Sequence, residues 1–256
     1  MALSFRQNEI LKLARDDGRV VVETLAEHFN VSLQTIRRDL SELADAGHLD
    51  RVHGGAVIRM GVMNFAYEER RRMNEAAKSA IGRACAQAIP DNSSIILNLG
   101  TTTEAVAREL RNHSNITAVT NNINVANTLL SNESCDIMVA GGSLRRSDGG
   151  LVGDLTADFM NQFKVDFAVI GTSALDEEGD LLDYDLAEVR VSRTILRQAR
   201  KVFLVADSSK LTRSAPVRLA SLEDIDAIFI DTPLPEALTK RCADWNTEVI
   251  VTPAQS

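Results

Sequence analysis

Residues 31–49, VSLQTIRRDLSELADAGHL, predict one amphipathic helix and decide the fold of the N-terminal part of the chain. Ser32 is a suitable N-cap, because its hydroxyl can accept a backbone N–H that the first helical turn leaves free. Ile36, Leu40 and Leu43 recur at i, i+4 and i+7, which places them in one buried stripe. The other face is polar, so this helix packs on a core with one side only.

The polar face carries groups that hydrogen-bond base edges and phosphates, and residues 31–38 contain no acid. This arrangement is typical of the second helix of a helix-turn-helix, the helix that enters a DNA groove. Leu33 has two interpretations, since it either extends the buried stripe or lies exposed at the helix start. The predicted DNA contacts on this helix are Ser32, Gln34, Thr35, Arg37 and Arg38.

The flanking segments complete a winged helix-turn-helix over residues 1–58. Residues 22–29 have the apolar spacing of a short helix, Asn30 suits the turn that follows, and residues 10–14 belong to a third helix.

The segment after the recognition helix predicts a wing. Gly47 suits the left-handed position just past a helix end. The following HLDRVHGGAVI predicts a hairpin that turns at Gly54-Gly55. Two wing residues are expected to face the core, Leu49 and Val52, and two to lie near the phosphates, Arg51 and His53.

The net charge of −8 over 256 residues does not exclude a DNA partner, because phosphate contacts depend on local charge. Residues 1–58 hold 7 Lys+Arg and 9 Asp+Glu, so the positive charge must be concentrated at the recognition helix and the wing. We therefore expect DNA binding that weakens steeply with salt.

The three cysteines, Cys85, Cys135 and Cys242, are far apart, and no Cys/His spacing indicates a metal site. We predict core cysteines in a reducing compartment, with no metal and no cofactor. The N-terminus has no signal-peptide pattern, and no apolar run is long enough to span a membrane. These features predict a cytoplasmic protein.

The remainder of the chain predicts an α/β domain. Residues 59–75 are irregular and charged, which indicates a linker. From Ser94 onward, seven short runs rich in Ile and Val alternate with helical segments, as expected for a mostly parallel sheet flanked by helices. We assign residues 76–256 to effector sensing and oligomerisation.

Small, hydroxyl and amide residues follow several of these strands, and ligands bind at the carboxyl ends of strands in such sheets. A glycine and three threonines open a helix after the strand at 95–99, which makes a cradle for phosphate. The predicted effector-binding residues are Gly100, Thr101, Thr102, Thr103, Asn121, Asn122, Gly141, Gly142, Arg145, Asp185, Glu188 and Lys210.

The predicted ligand is a small phosphorylated polyol or sugar. The threonine loop and Lys210 suit the phosphate, whereas the amides and the acids suit hydroxyl groups. ATP and NAD are disfavoured, because neither GxxxxGK[ST] nor a GxGxxG after a strand is present.

Glu188 and Lys210 also have the chemistry of an acid–base pair for sugar-phosphate isomerisation. Alternatively, both bind ligand, or Glu188 pairs with Arg190 or Arg193 on the helix surface. The four histidines do not cluster, and no nucleophile with a neighbouring base is evident. The sequence therefore favours sensing without catalysis, and no catalytic residue is predicted.

These motifs together resemble the DeoR family of transcriptional regulators. TIRRDL and RVHGGA resemble its winged helix-turn-helix, and GTTT, TNN, DFMNQFKVDFAVIGTSALD and DSSK resemble its sensor domain. The resemblance covers essentially the whole chain. It implies a sensor domain similar to the ribose-5-phosphate isomerase and CoA-transferase fold, a homo-oligomer, and operator DNA and a phosphorylated effector as partners.

Within that family, NHSNITAVTNNINVANTLL and RRSDGGLVGDLTADF resemble members that control glycerol genes. This implies a repressor of glycerol and glycerol-3-phosphate metabolism that glycerol-3-phosphate releases from its operator. The alternatives are another sugar-phosphate pathway, activation instead of repression, and an isomerase-like enzyme with a DNA-binding domain. Asn98 stands where the family often has Asp, which removes a charge beside the predicted site.

Overall fold

The computed structural model describes residues 3–17, 19–52, 54–58, 67 and 70–252. The chain divides into two compact units, residues 1–68 and 69–256. The division falls inside the segment predicted as a linker, 59–75. Most of that segment and His53 lie outside the described residues.

The described part of the N-terminal unit contains three helices and three short strands. Their order is α1 (Phe5–Asp17), β1 (Arg19–Val21), α2 (Val22–Phe29), α3 (Leu33–Asp45), β2 (Leu49–Val52) and β3 (Gly55–Ile58). The strands form an antiparallel sheet in the order β1-β3-β2. Ile36, Leu40 and Leu43 of α3 are fully buried in one core with residues of α1 and α2, so the predicted stripe is confirmed.

The sequence signals at the ends of the helices are confirmed. The Ser32 side chain accepts the backbone N–H of Thr35. Asn30 and Gly47 have φ angles of 52° and 79°, the left-handed conformation that lets the chain leave α2 and α3.

Two details of the wing differ from the prediction. Val52 is 38% exposed, because only the first residue of β2, Leu49, points into the core. Val52 pairs with Gly55, so Gly55 already belongs to β3 and not to the turn. A side chain at Gly55 would collide with the carbonyl oxygen of Val20 on β1, which explains the glycine there.

The C-terminal unit alternates strands and helices. It contains α4 (Glu75–Gln87), β4 (Ser94–Leu97), α5 (Thr101–Leu110), β5 (Ile116–Thr120), α6 (Ile123–Leu129), β6 (Cys135–Val139), β7 (Ser143–Arg145), β8 (Gly150–Val152), α7 (Asp154–Met160), β9 (Val165–Ile170), β10 (Ala174–Leu175), β11 (Asp180–Asp183), α8 (Leu186–Arg197), β12 (Ala199–Val205), β13 (Val217–Ser221), β14 (Ala227–Ile230), α9 (Glu236–Trp245) and β15 (Glu248–Val251).

Seven of these strands form one parallel sheet in the order β15-β14-β12-β9-β4-β5-β6. Alternate residues of a strand point to opposite faces. Ile95 and Leu97 accordingly lie in one apolar cluster and Ile96 in the other. The sheet is therefore covered on both faces, and the predicted α/β fold with all seven predicted strands is confirmed.

The described part of this unit also contains two small antiparallel sheets, which the sequence did not predict. β7 pairs with β8, and β10, β11 and β13 form a second small sheet. These sheets place Arg145 at the end of β7 and Asp183 at the end of β11. Of the three free cysteines, Cys85 and Cys242 are buried, as predicted, whereas Cys135 is half-buried on the edge strand β6.

Candidate nucleic-acid interface and effector site

Part of the polar face of α3 is occupied by hydrogen bonds within the helix. The hydroxyls of Ser32 and Thr35 lie 2.9 Å apart and form the N-terminal cap together. Arg38 Nε donates to Glu42 Oε1 at 2.9 Å, one turn further on. Exposed pairs of this kind contribute about 1 kcal/mol or less, so Arg38 can exchange Glu42 for a phosphate at little cost.

Gln34 and Arg37 differ from these residues. Both are exposed, and within the described part of the chain neither side chain has a partner. An amide and a guanidinium make the bidentate contacts that read adenine and guanine in the major groove. These two side chains are therefore the best placed of the predicted set for base contacts.

Arg51 reaches from the wing to the recognition helix. Its Nη1 donates to Ser41 Oγ and, at 3.3 Å, to the carbonyl oxygen of Arg37. Ser41 Oγ in turn donates to the same carbonyl at 2.9 Å. The sequence placed Arg51 near phosphates, but the structure shows a contact that fixes β2 against the middle of α3. His53, the other predicted wing contact, lies outside the described residues.

Two polar contacts with α1 hold α3 in place, and the sequence did not reveal either. Arg6 Nε donates to Asp39 Oδ2 at 2.5 Å, and Asp39 is only 5% exposed. The hydrogen bond to Asp39 raises the pKa of Arg6. Gln7 Nε2 donates to Glu42 Oε2 at 2.8 Å. Asp39 and Glu42 thus serve the packing of the domain, and the third acid of α3, Asp45, is its last residue, so the first turns of the helix carry no acid.

The effector-site residues lie along one edge of the parallel sheet. β12, β9, β4, β5 and β6 are neighbours and run in the same direction, so their carboxyl ends meet there. The residues just beyond these ends include Asp207, Gly171, Asn98, Asn121 and Gly141.

Arg145 is the centre of a cluster of carboxylates at this edge. Its guanidinium donates to both oxygens of Asp148 at 2.9 and 2.6 Å. It also donates to Asp185 Oδ2 at 3.0 Å and lies 2.7 Å from Glu188 Oε2. The guanidinium is thus already neutralised, so its role is to hold the acids in place, and the cation for a phosphate must come from elsewhere. Glu188 pairs with Arg145 and not with Arg190, which binds Asp154.

Two neighbouring carboxyls at this edge, Glu188 and Asp183, have raised pKa values. Burial raises the pKa of Glu188 to about 7, the nearby Asp183 carboxylate acts in the same direction, and Arg145 opposes them. Burial also raises the pKa of Asp183, although the backbone N–H of Tyr184 donates to it at 2.7 Å. The negative charge of the cluster therefore decreases as the pH falls through neutrality.

A second group of charges surrounds Asp207, which is 1% exposed at the end of β12. Lys78 Nζ lies 3.7 Å from Asp207 Oδ2, and Asn74 Nδ2 donates to Oδ1 at 3.0 Å. The same ammonium group donates to the carbonyl oxygens of Arg70, at 2.7 Å, and Met73. Burial lowers the pKa of Lys78.

Lys210 completes this group of positive charges. Burial and the Arg213 guanidinium lower the pKa of Lys210 to about 7, against the attraction of Asp207. One carboxylate thus faces more than one cation in a poorly solvated place. A bound anion relieves such repulsion, so the cluster of Lys78, Asp207 and Lys210 is suited to a phosphate.

The start of α5 offers backbone N–H groups to the same ligand. No side chain caps this helix, and Gly100 precedes it with a φ of 139°. That conformation strains any residue with a side chain, and an added Cβ would lie 3.2 Å from Thr103 Oγ1. Thr102 and Thr103 are buried and Thr101 is half-buried, so of the three threonines it is the most accessible hydroxyl.

The asparagines of the predicted site are fully enclosed. Asn122 caps α6, and its side chain accepts the backbone N–H of Asn124 at 2.9 Å. Asn121 Nδ2 donates to the Leu151 carbonyl at 3.1 Å, and Asn98 Nδ2 donates to Ser192 Oγ at 2.7 Å. The amide oxygens of Asn98 and Asn121 are buried without a partner among the described residues. Each of these side chains is thus engaged in a contact within the sensor unit.

Gly141 and Gly142 have a structural role at the end of β6. The Gly141 carbonyl accepts a hydrogen bond from Thr156 Oγ1 at 2.7 Å. A Cβ at Gly142 would collide with Thr156 Oγ1. The absence of a side chain at Gly142 thus lets the start of α7 approach the sheet.

The structure also contains an open groove of about 550 Å³ between α7 and α8. Asp154, Leu186, Arg190 and Arg193 are among its lining residues. In the described part of the chain, no cluster of His, Cys, Asp and Glu could hold a metal ion.

Sequence reasoning missed Lys78, Asp148, Asp183 and Asp207. Asp148 and Asp207 were quoted within their motifs but not assigned, and burial of both could not be read from the sequence. Lys78 lies in the middle of a helix with no motif around it. A lysine within the apolar stripe of α4 was the available signal, since lysine is almost never fully buried without a partner.

Two family models match the chain along most of its length. Residues 6–60 match the DeoR-like helix-turn-helix domain, and residues 73–232 match the DeoR C terminal sensor domain. The chain belongs to the DeoR family. The N-terminal unit is accordingly the DNA-binding domain of a transcriptional regulator, and the C-terminal unit is its sensor domain.

Curated relatives of similar length agree with this assignment. The chain is 43% identical to the glycerol-3-phosphate regulon repressor of Escherichia coli (strain K12), over 95% of this chain and 97% of that protein. It is 42% identical to the protein of the same name from Haemophilus influenzae, over 98% of both chains. The chain is thus a regulator and not an enzyme, which argues against the alternative of an isomerase-like enzyme with a DNA-binding domain.

Among solved structures, ribose 5 phosphate isomerase A from Neisseria gonorrhoeae has a TM-score of 0.39 and 13% identity, over 54% of this chain and 53% of that chain. This partial similarity carries no argument about activity. Among the described residues, no helix is long and apolar enough to cross a membrane.

Proposed function

We propose that this protein represses genes of glycerol and glycerol-3-phosphate metabolism and that glycerol-3-phosphate releases it from its operator. The relatives at 42–43% identity carry the name of such a repressor, which supports the regulon. The observation that carries the ligand class is the group of Lys78 and Lys210 around the single carboxylate of Asp207. Because the protein acts on chromosomal DNA, we place it in the cytoplasm.

The phosphate would bind between Lys210 and the start of α5. Lys210 supplies a half-buried positive charge, and the uncapped N–H groups of Thr101 and Thr102 supply directed donors. A helix N-terminus also carries a partial positive charge that favours an anion. This combination selects phosphate over a carboxylate because phosphate can use both sets of donors.

The glycerol hydroxyls would face the cluster around Arg145. Asp185 and Glu188 accept hydrogen bonds through oxygens that Arg145 keeps in place. These acceptors are the groups a polyol needs. They also repel a second phosphate, so a singly phosphorylated ligand is favoured over a bisphosphate.

Release from DNA requires that ligand binding change the segment that precedes α4. Lys78 supplies a link, because its ammonium group bonds to Asp207 in the phosphate cluster and to the carbonyl oxygens of Arg70 and Met73. These two residues lie within the predicted linker, 59–75. An anion that competes for Lys78 would loosen those carbonyl contacts. A homo-oligomer then presents paired DNA-binding domains to operator half-sites.

A thermal-shift screen of the full chain tests the ligand. Glycerol-3-phosphate at about 100 times its Kd should stabilise the folded chain by about 2.7 kcal/mol. Glycerol, inorganic phosphate, dihydroxyacetone phosphate, fructose-1-phosphate and ribose-5-phosphate are the comparisons. Lys210→Met should lose the response to glycerol-3-phosphate, whereas Lys240→Met, an exposed lysine on α9, should keep it. A stronger response to another phosphate would transfer the proposal to that ligand.

A further inference from the structure

Leu33, the first residue of α3, is exposed on the helix that binds DNA. Its side chain is 41% exposed. It is also absent from the apolar residues that pack against the core of this unit, which include Phe29 and Val31 on the preceding chain. Leu33 therefore does not extend the buried stripe of Ile36 and Leu40, which settles the two interpretations that the sequence left open.

The neighbours of Leu33 are the side chains that have no partner within the described residues. Gln34 follows it directly, and Arg37 lies one turn further on the same side of the helix, at i+4. Leu33 is thus the apolar member of an exposed group whose other members, Gln34 and Arg37, suit base contacts. Arg51 of the wing donates hydrogen bonds to the Arg37 carbonyl and to Ser41 Oγ, next to this group on α3. These contacts hold the wing against the helix, so the exposed group has a fixed orientation.

B-DNA presents one kind of apolar group in the major groove, the C5-methyl of thymine. The N-terminal residues of a recognition helix are those that contact base edges. An exposed leucine at this position can pack against the thymine methyl group. Against any polar base edge, the same leucine would displace water without replacing its hydrogen bonds. The chemistry of the side chain therefore selects thymine over the other bases.

We propose that Leu33 is a specificity-determining residue that contacts the methyl group of one thymine in each operator half-site. One helical turn separates Leu33 from Arg37, about 5.4 Å along the axis, which corresponds to one or two base-pair steps of about 3.4 Å. The thymine thus lies within two base pairs of the base that Arg37 contacts.

Deoxyuridine substitution tests this contact, because it removes the methyl group and leaves the base pair unchanged. The full chain is first used to select its operator from random duplex DNA, and each thymine is then replaced singly by deoxyuridine. At one thymine per half-site the wild-type chain should lose about fourfold in affinity, as expected for one buried methyl group. Leu33→Ala should bind the thymine and deoxyuridine operators equally well at that position.

Two further variants complete the test. Leu33→Met keeps an apolar side chain and should retain the discrimination, whereas Leu33→Gln should lose it. Leu130→Ala, a leucine of the sensor unit that is 70% exposed, should have the wild-type profile. Because Leu33 is exposed, thermal unfolding of its variants should match that of wild type. The proposal is overturned if no thymine distinguishes wild type from Leu33→Ala, or if that variant weakens binding equally on every operator.

Discussion

Arg145 joins three carboxylates from two parts of the sensor unit. Asp148 follows it in the β7–β8 connection, and Asp185 and Glu188 lie at the start of α8. The Arg145 side chain is only 14% exposed, so the acids depend on it for compensation of their charge. A single residue thus fixes the relative positions of two segments beside the predicted ligand.

Replacing Arg145 by Met should therefore destabilise the sensor unit strongly. Removal of one partner of a buried ion pair leaves uncompensated charge and costs about 3–5 kcal/mol. Arg190→Met is the matched control, because the pair of Arg190 with Asp154 is exposed and should contribute about 1 kcal/mol or less. Urea unfolding measures both. Equal losses for the two variants would contradict the central role of Arg145.

The affinity for glycerol-3-phosphate should fall as the pH rises through about 7. The pKa of Lys210 is lowered to about 7, so it is charged at pH 6.5 and mostly neutral at pH 8.5. The pKa of Glu188 is raised to about 7, so negative charge appears beside the ligand over the same range. Both changes disfavour an anion, while the phosphate itself, with a second pKa near about 6, changes little.

Calorimetric titrations at pH 6.5 and 8.5 measure this effect. If binding needs the protonated lysine, affinity should fall by about an order of magnitude between them. Lys210→Met should bind weakly at both values and show a much smaller change. An affinity that is constant, or that rises with pH, would remove Lys210 from the phosphate site.

At the scale of elements, α3 shows what a sequence pattern specifies and what it leaves open. The cap at Ser32, the buried stripe and the left-handed Gly47 follow from local chemistry, and the structure has all three. The contacts of α3 with Arg6 and Arg51 join residues about 10 to 33 positions apart. Such pairings depend on how the helices pack, and no periodicity encodes them.

The sensor sheet follows the same rule. Continuous apolar runs rich in Ile and Val predict buried parallel strands, and the candidate effector residues were predicted because they follow such strands. The short strands β7 and β8 and the site residue Lys78 carry no such signal. Lys78 was missed because its function depends on Asp207, which lies more than one hundred residues away in the sequence.

The two arginines of α3 should contribute unequally to operator binding. The Arg37 side chain has no partner in the described structure, whereas the Arg38 side chain must break its hydrogen bond to Glu42 before it can contact DNA. Arg37→Ala should cost about 1–3 kcal/mol and relax the preference at one base pair, as expected for a bidentate base contact. Arg38→Ala should weaken binding uniformly and reduce the salt slope by about 1. Anisotropy titrations on operator and scrambled duplexes separate these outcomes. If Arg38→Ala relaxed the base preference and Arg37→Ala weakened binding uniformly, the two residues would have the opposite roles.

At the scale of the whole molecule, the proposed switch needs a link between ligand and DNA. Lys78 is the candidate, since it bonds both to Asp207 and to the carbonyl oxygens of Arg70 and Met73. Lys78→Met should bind glycerol-3-phosphate less tightly, because only Lys210 of the cluster remains, and should respond weakly in operator binding even when saturated with the ligand. Calorimetry and operator titration of the same variant test this. A weakened response at saturation would support the link, and an operator response equal to that of wild type at saturation would exclude Lys78 from it.

The most direct test of the account is the operator affinity of the full chain with and without saturating glycerol-3-phosphate. Effectors of this kind typically change affinity by about 5–150-fold, which corresponds to a coupling of about 1–3 kcal/mol. We predict a loss of operator affinity within that range, with glycerol and inorganic phosphate without effect at the same concentration. An operator affinity that stays constant while calorimetry shows the ligand bound would contradict release by glycerol-3-phosphate.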